Sequence, residues 1–319
     1  MTTPIIIDCD PGNDDAVAIS VAIASPEDFD IRGITTVAGN VDVEQIAINA
    51  MKICELAGRP DIPVYKGARR PLVREEIFAD MMHGETGLDG STMPEPTMKL
   101  QEKHACSFLI DHVMQSNEKI TVLATGPLTN IALALVQEPA IKDNIERIII
   151  MGGSMSTGNI TAAAEFNMYA DPHAAHVVFT SGMDISLIGL DVSHQLIVTA
   201  ERSAQMRALG NPVGAELANI LEFTAELDIE RYGLTGRAVH DVLVPIFASN
   251  PQYFKGAMMP VDVEIHSERS MGNTIVGSYP GMIENPNVFV VTDIDEAAVF
   301  EHIMDRLSRF SGKTLAVAQ

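Results

Sequence analysis

The sequence predicts an α/β fold: an open, mostly parallel, Rossmann-like sheet with helices on both faces and a small antiparallel addition near the C-terminus. Three observations carry this. Short apolar runs alternate with helix-length patterns up to about residue 190. Those runs are apolar throughout, as strands covered on both faces are. Beyond residue 199 the alternation gives way to consecutive helices and a turn-linked strand pair.

In chain order, residues 5–9 are a strand, 15–24 a helix that stops before Pro26, and 31–37 a strand. Residues 43–57 are a helix closed by Gly58, and 62–65 a short strand. Residues 102–115 are helical, 120–124 a strand, 128–136 a helix, 147–151 a strand, 172–180 a helix and 185–190 a strand. Helices follow at 199–209 and 212–229. Residues 261–266 and 274–278 form the antiparallel pair, 288–291 a strand and 296–310 an amphipathic helix. Residues 68–100 show little regular pattern, and loops of that length are often functional. The tail 311–319 has few ordering signals. With no low-complexity linker and no internal repeat, residues 1–319 are expected to form one domain.

The chain has 319 residues, 46% of them hydrophobic, enough for a sizeable core. Its formal net charge of −22 repels phosphate backbones and anionic lipid, which argues against nucleic-acid and membrane partners. The three cysteines, Cys9, Cys54 and Cys106, are odd in number and have no CxxC spacing. They are expected to be free thiols in a reducing compartment, with Cys9 a small buried residue of its strand. The N-terminus enters a strand directly, without a secretory pattern, and no apolar run approaches 18 residues. A soluble, cytoplasmic protein is expected.

The most informative segment is Asp8-Cys9-Asp10-Pro11-Gly12-Asn13-Asp14-Asp15. An apolar strand ends there, Pro11-Gly12 turns the chain, and a helix begins with Asn13 or Asp14 available as its cap. The cluster therefore lies at the carboxyl edge of a parallel sheet, where ligands of open α/β folds bind. Four aspartates in eight residues repel one another. Capping and bracing explain one or two of them, and a hard divalent cation with oxygen ligands accounts for the set.

These residues resemble the signature of the inosine–uridine nucleoside hydrolases. Further segments follow in that family's order: Thr35-Thr36-Val37-Ala38-Gly39-Asn40, His83-Gly84, Thr125-Gly126-Pro127-Leu128-Thr129-Asn130 and Met151-Gly152-Gly153. Gly158-Asn159, Glu165-Phe166-Asn167, Asp171-Pro172 and His240-Asp241 complete the set. The resemblance spans about residues 4 to 310 and implies the nucleoside hydrolase fold. It also implies calcium-dependent cleavage of the N-glycosidic bond of ribonucleosides, giving free base and ribose, by a homo-oligomer (dimer or tetramer).

By that resemblance Asp10, Asp15 and Asp241 offer carboxylate oxygens to calcium, and Thr125 its backbone carbonyl. Asp14 is the general base, and Asp8 supports the turn. Asn159, Glu165 and Asn167 bind ribose hydroxyls, Met151 and Phe166 pack around the sugar, and Asn40 reaches ribose or base. His240, beside Asp241, is the first candidate to protonate the leaving base. His83 is the second, with binding of base or ribose as its other expected role. Tyr232 and solvent remain alternative proton donors.

Thr224, Asp228 and Tyr232 share one helical face at spacing four. The pattern is similar to pyrimidine-preferring members, although the usual neighbour at Asp228 is an amide. It favours uridine and cytidine, with broad or purine activity as the alternative. Two rival functions account for fewer of these residues. A haloacid-dehalogenase-like phosphatase would use Asp8 and Asp10, but leaves Asn159, Glu165, Asn167 and His240-Asp241 without a task. A non-catalytic nucleoside-binding protein would not need both Asp14 and His240.

Overall fold

The computed structural model describes residues 2–282 and 284–310; the tail 311–319 discussed above lies outside the described residues. In chain order the strands are β1 (Thr3–Cys9), β2 (Phe29–Thr36), β3 (Val64–Lys66), β4 (Ile120–Ala124), β5 (Ile145–Met151) and β6 (Ile185–Ile188). They continue as β7 (Ile197–Val198), β8 (Arg237–Ala238), β9 (Phe254–Met259), β10 (Val261–Val263), β11 (Thr274–Val276) and β12 (Val288–Ile294).

Eight strands form one sheet in the order β3-β2-β1-β4-β5-β6-β12-β9. Every pairing in it is parallel except β12 with β9, which is antiparallel. The expected antiparallel pair is present as β10 with β11, Val261 opposite Val276. Two short strands unforeseen in the sequence, β7 and β8, pair antiparallel. The edge strand β9 was also unforeseen: residues 255–258 are exposed, so it lacks the apolar run that marks the central strands.

Alternate residues of the strands enter opposite cores, as the two-residue period of a strand requires. Ile5, Ile7 and Cys9 pack with helices Asn13–Ile23, Val43–Leu56, Pro212–Tyr232, Leu243–Ser249 and Glu296–Ser308. Ile6, Val122, Ile148 and Ile150 pack on the other face with Ala105–Gln115, Thr129–Gln137 and Pro172–Phe179. All three cysteines are free and buried.

Helix boundaries differ from the sequence expectation where the caps decide them. The first helix begins at Asn13 because Gly12 is its N-cap. Asp14 is therefore inside the first turn and is not the cap. Asp15 takes the supporting role instead, its Oδ2 accepting the Gly12 N–H at 3.1 Å. The helix expected at 212–229 runs on to Tyr232 and ends at Gly233, which is left-handed with φ of 67°. Leu243–Ser249 and Phe166–Ala170 are further helices, too short to show a clear 3.6-residue period. Within the long segment 68–100 the structure places one helical turn, Asp80–His83.

β1 lies between β2 and β4. Successive strands are added outward from it on both sides, so the chain reverses its direction of winding between β1 and β4. The gap above that switch point is where such sheets accept ligands. The acidic turn leaves β1 there, and Thr125 leaves β4.

Candidate active site

A cavity of about 240 Å³ opens above the carboxyl ends of β1, β4 and β5. Asp10, Asp14, Asn40, His83, Thr125, Met151, Asn159, Glu165, Phe166, Asn167, Asp228, Tyr232, His240 and Asp241 all line it. Of the residues singled out in the sequence, Asp15 and Thr224 do not. Asp15 is fully buried beneath the cavity. Its Oδ1 accepts the Thr125 hydroxyl at 2.7 Å, and its carboxyl lies beside that of Asp241.

The floor is a knot of carboxylates. Oxygens of Asp14, Asp15 and Asp241 lie within 4.8 Å of one another, all buried. Asp10 joins from the end of β1, its Oδ2 accepting the Asn40 N–H at 2.8 Å while Asn40 Nδ2 donates to the Asp10 carbonyl at 2.8 Å. Two glycines make room for this carboxylate. A Cβ at Gly39 would land on Asp10 Oδ2, and one at Gly126 would lie 2.6 Å from Oδ1. Asp8 sits below as a brace: its Oδ1 accepts the Thr35 hydroxyl at 2.6 Å and Asn130 Nδ2 at 2.8 Å.

Burial and mutual repulsion raise these groups. Burial, then the charge of Asp14, lifts Asp15 to about 7. Burial and the Asp15 charge lift Asp10 well above the carboxylate range. Burial and the charges of Asp14, Asp15 and Asp10 do the same to Asp241. So many buried carboxylates are costly unless a positive charge offsets them. The set fits a hard divalent cation: Asp10, Asp15 and Asp241 could supply carboxylate oxygens and Thr125 a carbonyl oxygen. The Thr125 carbonyl also accepts Asn167 Nδ2 at 2.8 Å, which leaves its second lone pair. Asp14 differs from its neighbours. Burial opposes its ionisation, yet its carboxyl is held low; of the groups that pull it down, Arg237 keeps its positive charge near pH 7, whereas His240 and His83 carry theirs only at acid pH.

Glu165, in the cavity lining, caps helix Phe166–Ala170. Its Oε1 accepts the Asn167 N–H at 2.9 Å, and its Oε2 accepts those of Gly153 at 2.9 Å and Met168 at 3.2 Å. Burial nevertheless raises it to about 7. Asn159 Oδ1 is buried without a hydrogen-bond partner among the described residues, so it is open to a hydroxyl donor.

At the opposite end, His240 Nδ1 lies 2.8 Å from Ser193 Oγ. Burial pushes His240 down to about 3 and His83 down to about 4. Both imidazoles are therefore neutral near pH 7 and present hydrogen bonds rather than stored protons. His83 Nδ1 is 3.3 Å from Asn13 Oδ1 and 3.4 Å from Asn13 N, against the acidic turn. Tyr232 hydroxyl donates to the Asn159 carbonyl at 3.4 Å.

Thr224 and Asp228, on the helical face singled out in the sequence, are both hydrogen-bonded within the protein, and of the two only Asp228 lines the cavity. Thr224 Oγ1 accepts Asn13 Nδ2 at 2.9 Å and donates to the Ile220 carbonyl at 3.3 Å. It therefore braces the acidic turn from behind. Asp228 does line the cavity, but Oδ1 accepts Arg237 Nη1 at 3.0 Å and Oδ2 accepts the Ala238 N–H at 2.9 Å. It positions Arg237 and β8.

The structure adds Phe78, Ala79, Met82, Ile160, His194, Arg231 and Arg237 to the lining. His194 had a signal in the sequence, since it follows the end of β6 and the carboxyl edge collects ligand-binding groups. Its ring stands 5.4 Å from that of His240 and 5.5 Å from that of Tyr232. Arg237 and Arg231 had none, because they come from the irregular region around the end of the long helix.

The inosine-uridine preferring nucleoside hydrolase family matches residues 5–301. The chain is 42% identical over 312 residues to "Pyrimidine-specific ribonucleoside hydrolase RihA" of Enterobacter sp. (strain 638), covering 98% of this chain and 99% of that protein. Among solved structures, it is similar to the "Purine-Preferring Ribonucleoside Hydrolase from Gardnerella vaginalis", with a TM-score of 0.89 and 32% identity over 96% of this chain and 98% of that one. It is also similar to the "Plant nucleoside hydrolase - PpNRh1 enzyme", with a TM-score of 0.88 and 33% identity over 97% and 99% of the two chains. Among the described residues no helix is long and apolar enough to cross a membrane. With the family match, the fold and the convergence of its motifs on one cavity in agreement, the chain belongs to the inosine-uridine preferring nucleoside hydrolase family and is a ribonucleoside hydrolase.

Proposed function

We propose that the enzyme cleaves the N-glycosidic bond of ribonucleosides in a calcium-dependent reaction that prefers uridine and cytidine. The observation that carries this is the buried knot of Asp10, Asp14, Asp15 and Asp241 beneath a small cavity at the sheet's switch point.

Asp10, Asp15, Asp241 and the Thr125 carbonyl would hold the cation. When bound, calcium offsets the carboxylate charge and polarises water as a Lewis acid. Asp14 is the general base. With its carboxyl held low, it takes the proton of the attacking water. Asn159, Glu165 and Asn167 grip the ribose hydroxyls, with Asn40 reaching the ribose from the acidic turn. The unpartnered Asn159 Oδ1 accepts one of those hydroxyls. Met151 and Phe166 supply the apolar walls of the sugar site. A grip tighter on a flattened, oxocarbenium-like sugar than on the ground state accelerates departure of the base.

His240 stands at the base. Its Nδ1 lies 2.8 Å from the Ser193 hydroxyl, and in the tautomer with the hydrogen on Nε2 it donates a hydrogen bond to the departing base. His83 orders the acidic turn through Asn13 and faces the substrate. The pyrimidine preference is supported by the name of the 42% identical relative, while a purine-preferring structural neighbour at 32% identity makes inosine the necessary comparison. Family likeness further supports a cytoplasmic homo-oligomer, which light scattering would test.

The direct test is incubation with a nucleoside panel in calcium and chromatography of the free bases. Equimolar base and ribose, faster from uridine and cytidine than from inosine, is expected. Faster release from inosine would reverse the base preference, and no release from any nucleoside would overturn the function.

A further inference from the structure

We propose that Arg237, held in place by Asp228, is a specificity-determining residue that donates a hydrogen bond to the carbonyl oxygen beside the glycosidic nitrogen of a pyrimidine. This rests on the nucleoside-hydrolase reading of the same cavity.

Arg237 and Asp228 form an ion pair with side chains only 3% and 2% exposed, in the cavity wall beside Tyr232 and His240. The two partners are unequally used. Asp228 has spent both oxygens, one on Arg237 Nη1 and one on the Ala238 N–H. Each oxygen already accepts one donor of the protein itself. Arg237 has five N–H donors. Among the described residues Nη1 serves Asp228, while Nε is buried with no partner. A buried, unpaired N–H is costly unless an acceptor completes it.

The cavity limits what that acceptor can be. Asp10, Asp14, Glu165 and Asp241 line the same space, and Asp228 already balances the guanidinium. An anionic ligand such as a carboxylate or phosphate would meet this acidic wall uncompensated. A neutral carbonyl oxygen would not. Uracil and cytosine both carry one next to the nitrogen that leaves. Hypoxanthine carries no oxygen there: beside its glycosidic nitrogen stand a C–H of the five-membered ring and the fused carbon that bears a nitrogen of the six-membered ring.

The same contact grows stronger during the reaction. The C1′–N1 bond breaks with its electron pair going to the pyrimidine, where it delocalises onto the adjacent oxygen. The water oxygen bonds to C1′ and its proton passes to Asp14. The base then takes a proton from solvent as it leaves, and Asp14 returns its own. A permanently charged donor aimed at an oxygen that gains negative charge acts chiefly on the transition state. Arg231 also lines the cavity, but it is exposed and donates to the Asn159 carbonyl at 2.6 Å, so it belongs to the rim.

The test uses the whole enzyme in calcium and the double variant Arg237→Gln/Asp228→Asn, which leaves no buried charge unpaired. Arg237→Lys, which keeps the charge and loses the planar fork, is a second variant. Rates are compared on uridine, inosine and p-nitrophenyl riboside, whose leaving group needs no stabilisation, with a thermal melt of each variant. The double variant is expected to lose about 100-fold in kcat on uridine, the scale for removal of one such donor. Its uridine-to-inosine ratio should fall at least about tenfold, against that 100-fold scale, and its rate on p-nitrophenyl riboside should fall far less than its rate on uridine. Arg237→Lys should recover part of the uridine rate. A folded double variant that loses uridine and inosine activity equally, or that keeps its uridine rate, would overturn the proposal. Wild-type protein that releases ribose from none of the three would instead overturn the nucleoside-hydrolase reading, and this proposal with it.

Discussion

The two ends of the cavity are built in different ways. The acidic end rises from the carboxyl termini of central parallel strands, and its residues are locked by short bonds between neighbouring strands: Asn40 to Asp10, Thr125 to Asp15, Thr35 and Asn130 to Asp8. The base end is assembled from the tail of the long helix Pro212–Tyr232, the short strand β8 and the segment after β6. Its order depends on a few side-chain contacts, chiefly Arg237 with Asp228 and Ser193 with His240. A rigid, highly charged floor suits chemistry common to all nucleosides. A wall held by replaceable side-chain pairs suits selection among bases.

Substitutions at the two ends should therefore fail differently. The largest loss is expected for Asp10→Ala, which should abolish calcium binding by calorimetry together with turnover. Activity that survives in chelator would sink the metal assignment. Asp14→Asn should lower kcat by about 10²- to 10⁴-fold, the usual range for a general base, while equilibrium dialysis still shows nucleoside binding. A comparable loss of binding would make Asp14 a ligand holder instead.

The acidic end was largely legible in the sequence because its chemistry is local. Asp10, Asp14 and Asp15 are fixed by one strand-to-helix turn, Thr125 lies just beyond the end of another parallel strand, and Asn167 sits in the helix Phe166–Ala170 that follows the loop after a third. The strand pattern gave the sheet for the same reason. The spacing of Thr224, Asp228 and Tyr232 pointed to a helix whose end lines the cavity, but spacing cannot tell which partners engage a side chain. Asn13 claims Thr224, and Arg237 with Ala238 claims Asp228. Those contacts join residues from different elements or across a turn. β8 and Leu243–Ser249 escaped because two- and seven-residue elements carry almost no period of their own.

Smaller effects sharpen the comparison. His240→Ala should slow uridine by about 100-fold, within the range for acid–base groups, and p-nitrophenyl riboside far less. Equal losses would assign His240 to general positioning. Protons and calcium compete at the acidic end. The Asp15 carboxyl, raised to about 7 by burial and Asp14, must release its proton to bind a cation, so calcium affinity should strengthen from pH 6 to pH 8. Without calcium the sign for stability is the reverse. A raised carboxyl favours the folded state at low pH, and that contribution is lost as pH rises through about 7. Chelated protein should therefore melt at lower temperature at pH 8 than at pH 6.5, and saturating calcium should oppose the drop. Thr224→Ala, which leaves Asn13 with one acceptor fewer, should cost about 1 kcal/mol by chemical denaturation, with the uridine-to-inosine ratio unchanged.

The division of labour between the two ends can be tested in one titration. Ribose release from uridine and from inosine is followed while chelator removes calcium and calcium is then restored. Both activities should fall together to background and recover together, with their ratio constant throughout. Ribose release that persists in excess chelator, or a base preference that shifts with calcium, would contradict it.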